Sequence, residues 1–189
     1  MRLLFVGLRA CLASPVPFPG EIEWCEEDGG GAVSKVSLLF TPTWDCKPES
    51  ATAAYAGASG DILRHGVESC DAARAIAGLL THAGFRAVSS SSLSDRKLLR
   101  SLLGLVGADC PPVLDLSAVQ RMAVAEVFRD RPAMMPTPRV VDQMISQSAE
   151  AELYRVRERG PEPGDANRAW WQWRDVASRA RMMKIGLSM

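Results

Sequence analysis

The hydrophobic period changes once along this chain, and that change limits the folds open to it more than any other feature. Over residues 2–8 the side chains are nearly all apolar, over 21–26 they alternate, and KVSLLF (35–40) returns after the glycine-rich stretch EEDGGGAV. Successive strand side chains point to opposite faces, so these segments predict three strands, with a tight hairpin turn at the glycines. Farther on the period lengthens: Ala72, Ile76, Leu79 and Leu80 fall on one helical face, and Gly84 follows as a stop signal. A short strand at 87–89 leads into SSSSLSDRKLLRSLLGLVG, where serines precede a leucine-rich helix, and PPVLDL supplies a fifth short strand. SAVQRMAVAEVF predicts a helix capped by its serine, and PRVVDQMISQSAEAELYRVRER a helix begun by proline and stopped by Gly160 and Pro161. DANRAWWQWRDVASRARMMKIG predicts a last helix capped by Asp165. Three antiparallel strands followed by alternating strand and helix make an α/β fold, a mixed sheet with helices packed on it.

A length of 189 residues suits one domain, 1–189, because halves of it would bury too little surface to be stable alone. Lys plus Arg and Asp plus Glu number 22 each, so no global field points to a nucleic-acid or membrane partner. The distribution is uneven. Residues 1–62 hold four basic and eight acidic groups, whereas residues 151–189 hold eight basic and five acidic ones, a net of +3. An anionic partner is therefore expected at the C-terminal segment. The five cysteines (Cys11, Cys25, Cys46, Cys70, Cys110) form no CxxC pair and are not spaced with His65 or His82 as zinc ligands would be. They read as reduced thiols of a cytoplasmic protein. The start MRLLFVGLRACLA mimics an export signal, but Arg9 interrupts its apolar run early. No stretch reaches the roughly 18 apolar residues of a membrane span.

Four stretches, in order along nearly the whole chain, carry a resemblance. SPVPFPGEIEW (14–24) follows the first strand, AAYAGASGDILRHGVE (53–68) comes next, then VSSSSLSDRKLLRSLL (88–103), and finally NRAWWQWRDVA (167–177). Together they resemble the DEDDh 3′–5′ exonuclease family, particularly its short stand-alone bacterial members. The resemblance implies a ribonuclease-H-like fold: a three-stranded antiparallel meander plus parallel strands in one mixed sheet, flanked by helices. It also implies an activity in which four carboxylates hold two Mg²⁺ or Mn²⁺ ions on the scissile phosphate and a histidine activates water. Carried over position by position, the first strand's Asp and Glu become Gly7 and Arg9, and the loop aspartate is retained as Asp95. The last helix offers Asn167 for the histidine and Gln172 for the final aspartate, and a helper histidine becomes Ala56. One carboxylate of the four survives, so no metal cofactor is expected: hard divalent ions need oxygen ligands that a glycine and a guanidinium do not supply.

The residues also have readings independent of any family. Gly7, Arg9 and Cys11 share one face of the first strand. Arg9 either snorkels to solvent at a strand end or pairs with Asp95 as a fixed cation in place of a metal; the pair is the expectation carried forward. Asp95 also suits the first turn of a helix, near the positive end of its dipole. Asp175, Glu21 and Glu23 are carboxylates that a relocated site would use. Trp170, Trp171 and Trp173, interleaved with Arg168 and Arg174, read first as core packing, with residues 170 and 173 toward the sheet and 171 apart. A protein interface or base stacking are the other readings of that cluster. If nucleic acid binds, Arg155, Arg157, Arg159, Arg168 and Arg174 supply the charge. The expected function is therefore that of a catalytically inactive exonuclease homologue that binds single-stranded nucleic acid or a protein partner. The alternatives are a weakly active metal-dependent 3′–5′ exonuclease using Asp95 with relocated carboxylates, and a homo-oligomeric scaffold subunit.

Overall fold

The computed structural model describes residues 2–10, 19–27, 35–39, 69–81, 83–159 and 165–187, with the side chains of residues 21, 35–39 and 155–159 outside that description. Cys11, Cys46, Ala56, His65 and His82, and the expected glycine-rich hairpin turn, lie outside the described residues. The described strands are β1 (Leu3–Ala10), β2 (Pro19–Glu27), β3 (Lys35–Leu39), β4 (Arg86–Ser89) and β5 (Leu114–Asp115). The helices are α1 (Ser69–Thr81), α2 (Ser92–Gly104), α3 (Leu116–Val127), α4 (Pro138–Arg159) and α5 (Asp165–Gly186), with a short 3-10 turn at Pro132–Met134. No described helix is long and apolar enough to cross a membrane.

All five strands lie in one mixed sheet of order β3-β2-β1-β4-β5. The first three form an antiparallel meander, and β4 and β5 are added parallel to β1. A central strand covered on both faces has to be apolar on both, which is why 3–8 reads as a continuous run and not as an alternation. Leu4, Val6 and Leu8 face the layer that holds α1 and α2, with Ile22, Ile76 and Leu99. Leu3 and Phe5 face the opposite layer, with Val119 of α3 and Ala166, Ala169 and Trp170 of α5. Phe5 is fully buried, which is worth about 1.5–3 kcal/mol of transfer free energy. A third cluster, Val124, Phe128, Val141, Val176 and Ala180, joins α3, α4 and α5.

Trp170 is buried, and Trp171 and Trp173 pack partly buried against the same cluster, so all three belong to the core. The indole N–H of Trp170 donates to a Glu27 carboxylate oxygen at 3.2 Å, tying α5 to the end of β2. Trp171 is not set apart from its neighbours as the helical spacing predicts, because α5 lies in a corner between the sheet and α3 and is covered on more than one side. One cap differs as well. The N-cap of α3 is Asp115 and not the serine: its Oδ1 accepts from the Ser117 N–H at 2.9 Å and the Ala118 N–H at 3.4 Å. The last extended residue of β5 thus opens the helix that follows it, which lets a two-residue strand connect directly to α3.

Candidate functional site

In a sheet with parallel strands, the groups free to meet a ligand gather beyond the carboxyl ends of those strands. Here that edge is formed by the ends of β1 and β4 and the starts of α2, α3 and α5. Ser89, the last residue of β4, is fully buried, and its hydroxyl donates to Asp95 Oδ2 at 2.5 Å while accepting from the Ser91 N–H at 2.8 Å. The serine run is therefore a built turn that fixes Asp95 at the first turn of α2. Asp95 is 4% exposed. Burial pushes its carboxyl above the ordinary range; the Ser89 hydroxyl opposes this, the neighbouring Asp165 charge adds to it, and the Leu8 N–H at the end of β1 opposes it again.

Asp165 reaches this place because α5 starts directly over Gly7. A Cβ built on Gly7 would lie 2.8 Å from the Asp165 Cβ and 3.0 Å from the Ala166 backbone nitrogen. No side chain fits there without moving the helix. Arg168 lies one turn along, with its guanidinium 3.9 Å from Asp165 Oδ1. Asp165, Arg168, Ala169 and Gln172 form one wall of a cleft of about 250 Å³; Ser90 and Leu116 line its sheet side and Glu152 of α4 its far side. Ser148 of α4 donates to the Gln172 carbonyl oxygen at 3.1 Å and holds the two helices together beside it.

Of the positions singled out in the sequence, Gly7, Asp95 and the start of the last helix are brought together, and Gln172 and Arg168 line the adjoining cleft. The side-chain oxygen of Asn167 is buried and has no hydrogen-bond partner among the described residues. The expected Arg9–Asp95 pair does not form. Arg9 is at the exposed end of β1, opposite Glu21 and next to a register irregularity, whereas Asp95 is buried and engaged by Ser89. Burying a guanidinium costs desolvation that solvent exposure avoids, and a hydroxyl and a backbone N–H already hold the carboxylate. Asp175 is likewise directed elsewhere, pairing with Arg179 at 2.6 Å along α5. Arg174 is exposed, its guanidinium 5.2 Å from the centre of the Trp170 ring. Glu23 is half-buried on β2, and the side chains of Glu21, Arg155, Arg157 and Arg159 lie outside the described residues.

Asp165 is the site residue that sequence reasoning missed: it was given only a capping role. Its signal was the glycine at position 7, which leaves room for another element to close in. The donors described do not fit the two divalent ions that the resemblance implies. Gly7 has neither a ligand nor room for one, Asp95 is hydrogen-bonded within the fold, and Asp165 faces Arg168. Among the described residues no three His, Cys, Asp or Glu side chains converge as metal ligands.

No family model matches the chain, and no curated protein sequence matches it. Solved structures do resemble it. The complex of E. coli exonuclease I with a dT13 oligonucleotide covers 97% of this chain at 13% identity and a TM-score of 0.51. The metal-free complex of E. coli exonuclease I with single-stranded DNA covers 97% at 12% identity and a TM-score of 0.54. A 3′-exonuclease in 3′-end-specific recognition of a histone mRNA stem-loop covers 98% at 10% identity and a TM-score of 0.50. This chain spans 82% of the length of that 3′-exonuclease, but only 30% to 41% of the exonuclease I chains. At these identities the likeness is one of fold: the chain has an exonuclease-like α/β architecture.

Proposed function

We propose that this chain is a ribonuclease-H-like relative of the DEDDh 3′–5′ exonucleases that binds nucleic acid without cleaving it. One observation carries the reading. The strand position that holds a metal-binding carboxylate in that family is Gly7, and the first turn of α5 fills the space into which such a side chain would project. Metal-assisted phosphodiester cleavage depends on two ions placed to within fractions of an ångström, and the loss of several ligands together removes nearly all of the rate. The fold supports binding, since nucleic acid is what the similar structures are described as engaging. In this reading the cleft between α4 and α5, with Arg168 and Gln172 on its wall, receives the strand end. The test is degradation of labelled single-stranded DNA and RNA with Mg²⁺ or Mn²⁺. The expected result is no release of mononucleotides; release that an Asp95→Ala variant loses would establish an active nuclease instead.

That second outcome is the reading favoured by one specific observation: the charge of Asp165 is felt at Asp95, so a second carboxylate lies near the first at the end of β1. A weak nuclease built on them would lose its activity in Asp165→Asn as completely as in Asp95→Asn.

A further inference from the structure

Several cations on the described surface are neutralised locally. Arg74 is held by Asp71, Arg121 by Asp142, Arg129 by Glu126, Arg168 by Asp165, Arg179 by Asp175 and Lys184 by Asp130. Helix α2 gathers three that are not. Its inner face is Asp95, Leu98, Leu99, Leu102 and Leu103, so its one acidic residue is turned into the fold. Arg96, Lys97 and Arg100 are exposed on its outer face, and none of the three forms an ion pair with a described residue. Arg96 and Arg100 stand one turn apart, about 6 Å along the axis. Both charges are felt at the thiol of Cys110, so the two side chains lie on the same side of the helix. Helix α2 starts two residues after Ser90, which lines the cleft, and the strip runs from its first turns.

We infer that Arg96, Lys97 and Arg100 form a track for the phosphodiester backbone of a single strand leading to that cleft, so that the main electrostatic contact is on α2 and not on the C-terminal arginines. The inference rests on the proposed nucleic-acid-binding function and deepens it. Three adjacent cations left without counter-charges keep a full ion atmosphere, and a polyanion that displaces it gains the release of those ions. A protein partner fits this face less well. A stable protein interface needs about 800 Å² per side with an apolar or aromatic centre. The outer face of α2 instead offers Leu93 and Ser94 beside the three cations.

The test is fluorescence anisotropy of a labelled oligothymidylate of ~20 nucleotides, long enough to span one binding site, across a series of salt concentrations. Three proteins are compared with the wild type. One combines Arg96→Ala, Lys97→Ala and Arg100→Ala; a second keeps the charge with Arg96→Lys and Arg100→Lys; a control combines Arg139→Ala and Arg181→Ala, which are equally exposed but lie on α4 and α5. The triple alanine protein is expected to bind at least about tenfold more weakly at low salt and to lose about 2 from the slope of log K against log salt. The lysine protein and the control stay within about twofold of the wild type, as charge-preserving and distant changes should. If the triple alanine protein binds as tightly as the wild type, the track is elsewhere and this inference falls, while nucleic-acid binding stands. If the wild type binds no oligonucleotide at low salt, the proposed function falls with it. Binding of polyglutamate in place of the oligonucleotide would assign the strip to an acidic protein partner and overturn the inference as well.

Discussion

At position 7 a hydrogen atom in place of a side chain decides how closely a helix can approach a strand. The cost of adding a methyl group there is that of overpacking, about 1–3 kcal/mol, less the few tenths to 1 kcal/mol that alanine recovers by restricting the unfolded chain. Gly7→Ala is therefore expected to lower the melting temperature by several degrees, at roughly 2–4 °C per kcal/mol for a chain of this size. Gly7→Asp should lower it further and confer no metal-dependent nuclease activity. A thermal melt that leaves Gly7→Ala unchanged or more stable would show that α5 does not press on β1. Asp95 makes a second prediction at this scale. Its carboxyl is raised from the ordinary value of 3.8, chiefly by burial, so the folded state binds its proton more tightly than the unfolded state does. The stability from that bound proton is fully present below the unfolded value and is lost as pH rises through the folded one. Asp95→Asn, which keeps an acceptor for the Ser89 hydroxyl, removes this dependence. The difference in melting temperature, wild type minus variant, should fall as pH is raised from about 4 to neutrality; a rising difference would mean that the carboxylate is stabilised by an opposite charge.

Among the elements, α3 shows how local chemistry sets a boundary. Asp115 ends β5 and caps α3 with one oxygen, so Asp115→Ala removes the acceptor for two otherwise unpaired N–H groups and should cost about 0.5–2 kcal/mol. Asp115→Asn should restore most of that in the same melts. The serine expected to cap this helix donates its hydroxyl to the same Asp115 oxygen at 2.5 Å, which supports the cap without supplying it. Elements with a strong period were legible in the sequence: α1 and α2 follow from leucine and alanine spacing, and the strands of the meander from their apolar and alternating runs. The last helix was legible as a helix, and Trp170 as part of its buried face. The site was legible only in part. Asp95 could be placed because a serine-rich turn before a leucine-rich helix fixes its geometry locally. The Asp165–Gly7 contact could not, because it depends on the distance between two elements at opposite ends of the chain, which no periodicity encodes. Arg9 was misjudged for a related reason. Period-two alternation assigns a face, but the strand reaches solvent before that face reaches Asp95.

At the scale of the whole molecule, the described residues pack as two layers that share one sheet. Leu4 and Phe5 are neighbours in β1, yet one packs with α1 and α2 and the other with α3 and α5. Leu4→Ala should cost about 2–5 kcal/mol and Phe5→Ala about 3–5 kcal/mol. Because β1 belongs to both layers, each change is expected to shift one common unfolding transition, seen alike by far-ultraviolet circular dichroism and tryptophan fluorescence. Two separated transitions would divide the chain into independent units. The same strand also sets a timetable. The register pairs Leu3 with Glu27 on one side and with Arg86 on the other, so during synthesis the antiparallel neighbour of β1 exists long before its parallel one. Until β4 has left the ribosome, the nascent meander carries an apolar strand with a bare hydrogen-bonding edge, the kind of surface that recruits other strands. Expression yield in cells should therefore depend on how quickly residues 28–85 are translated and on chaperones that shield such edges, even for variants whose finished fold is as stable as the wild type.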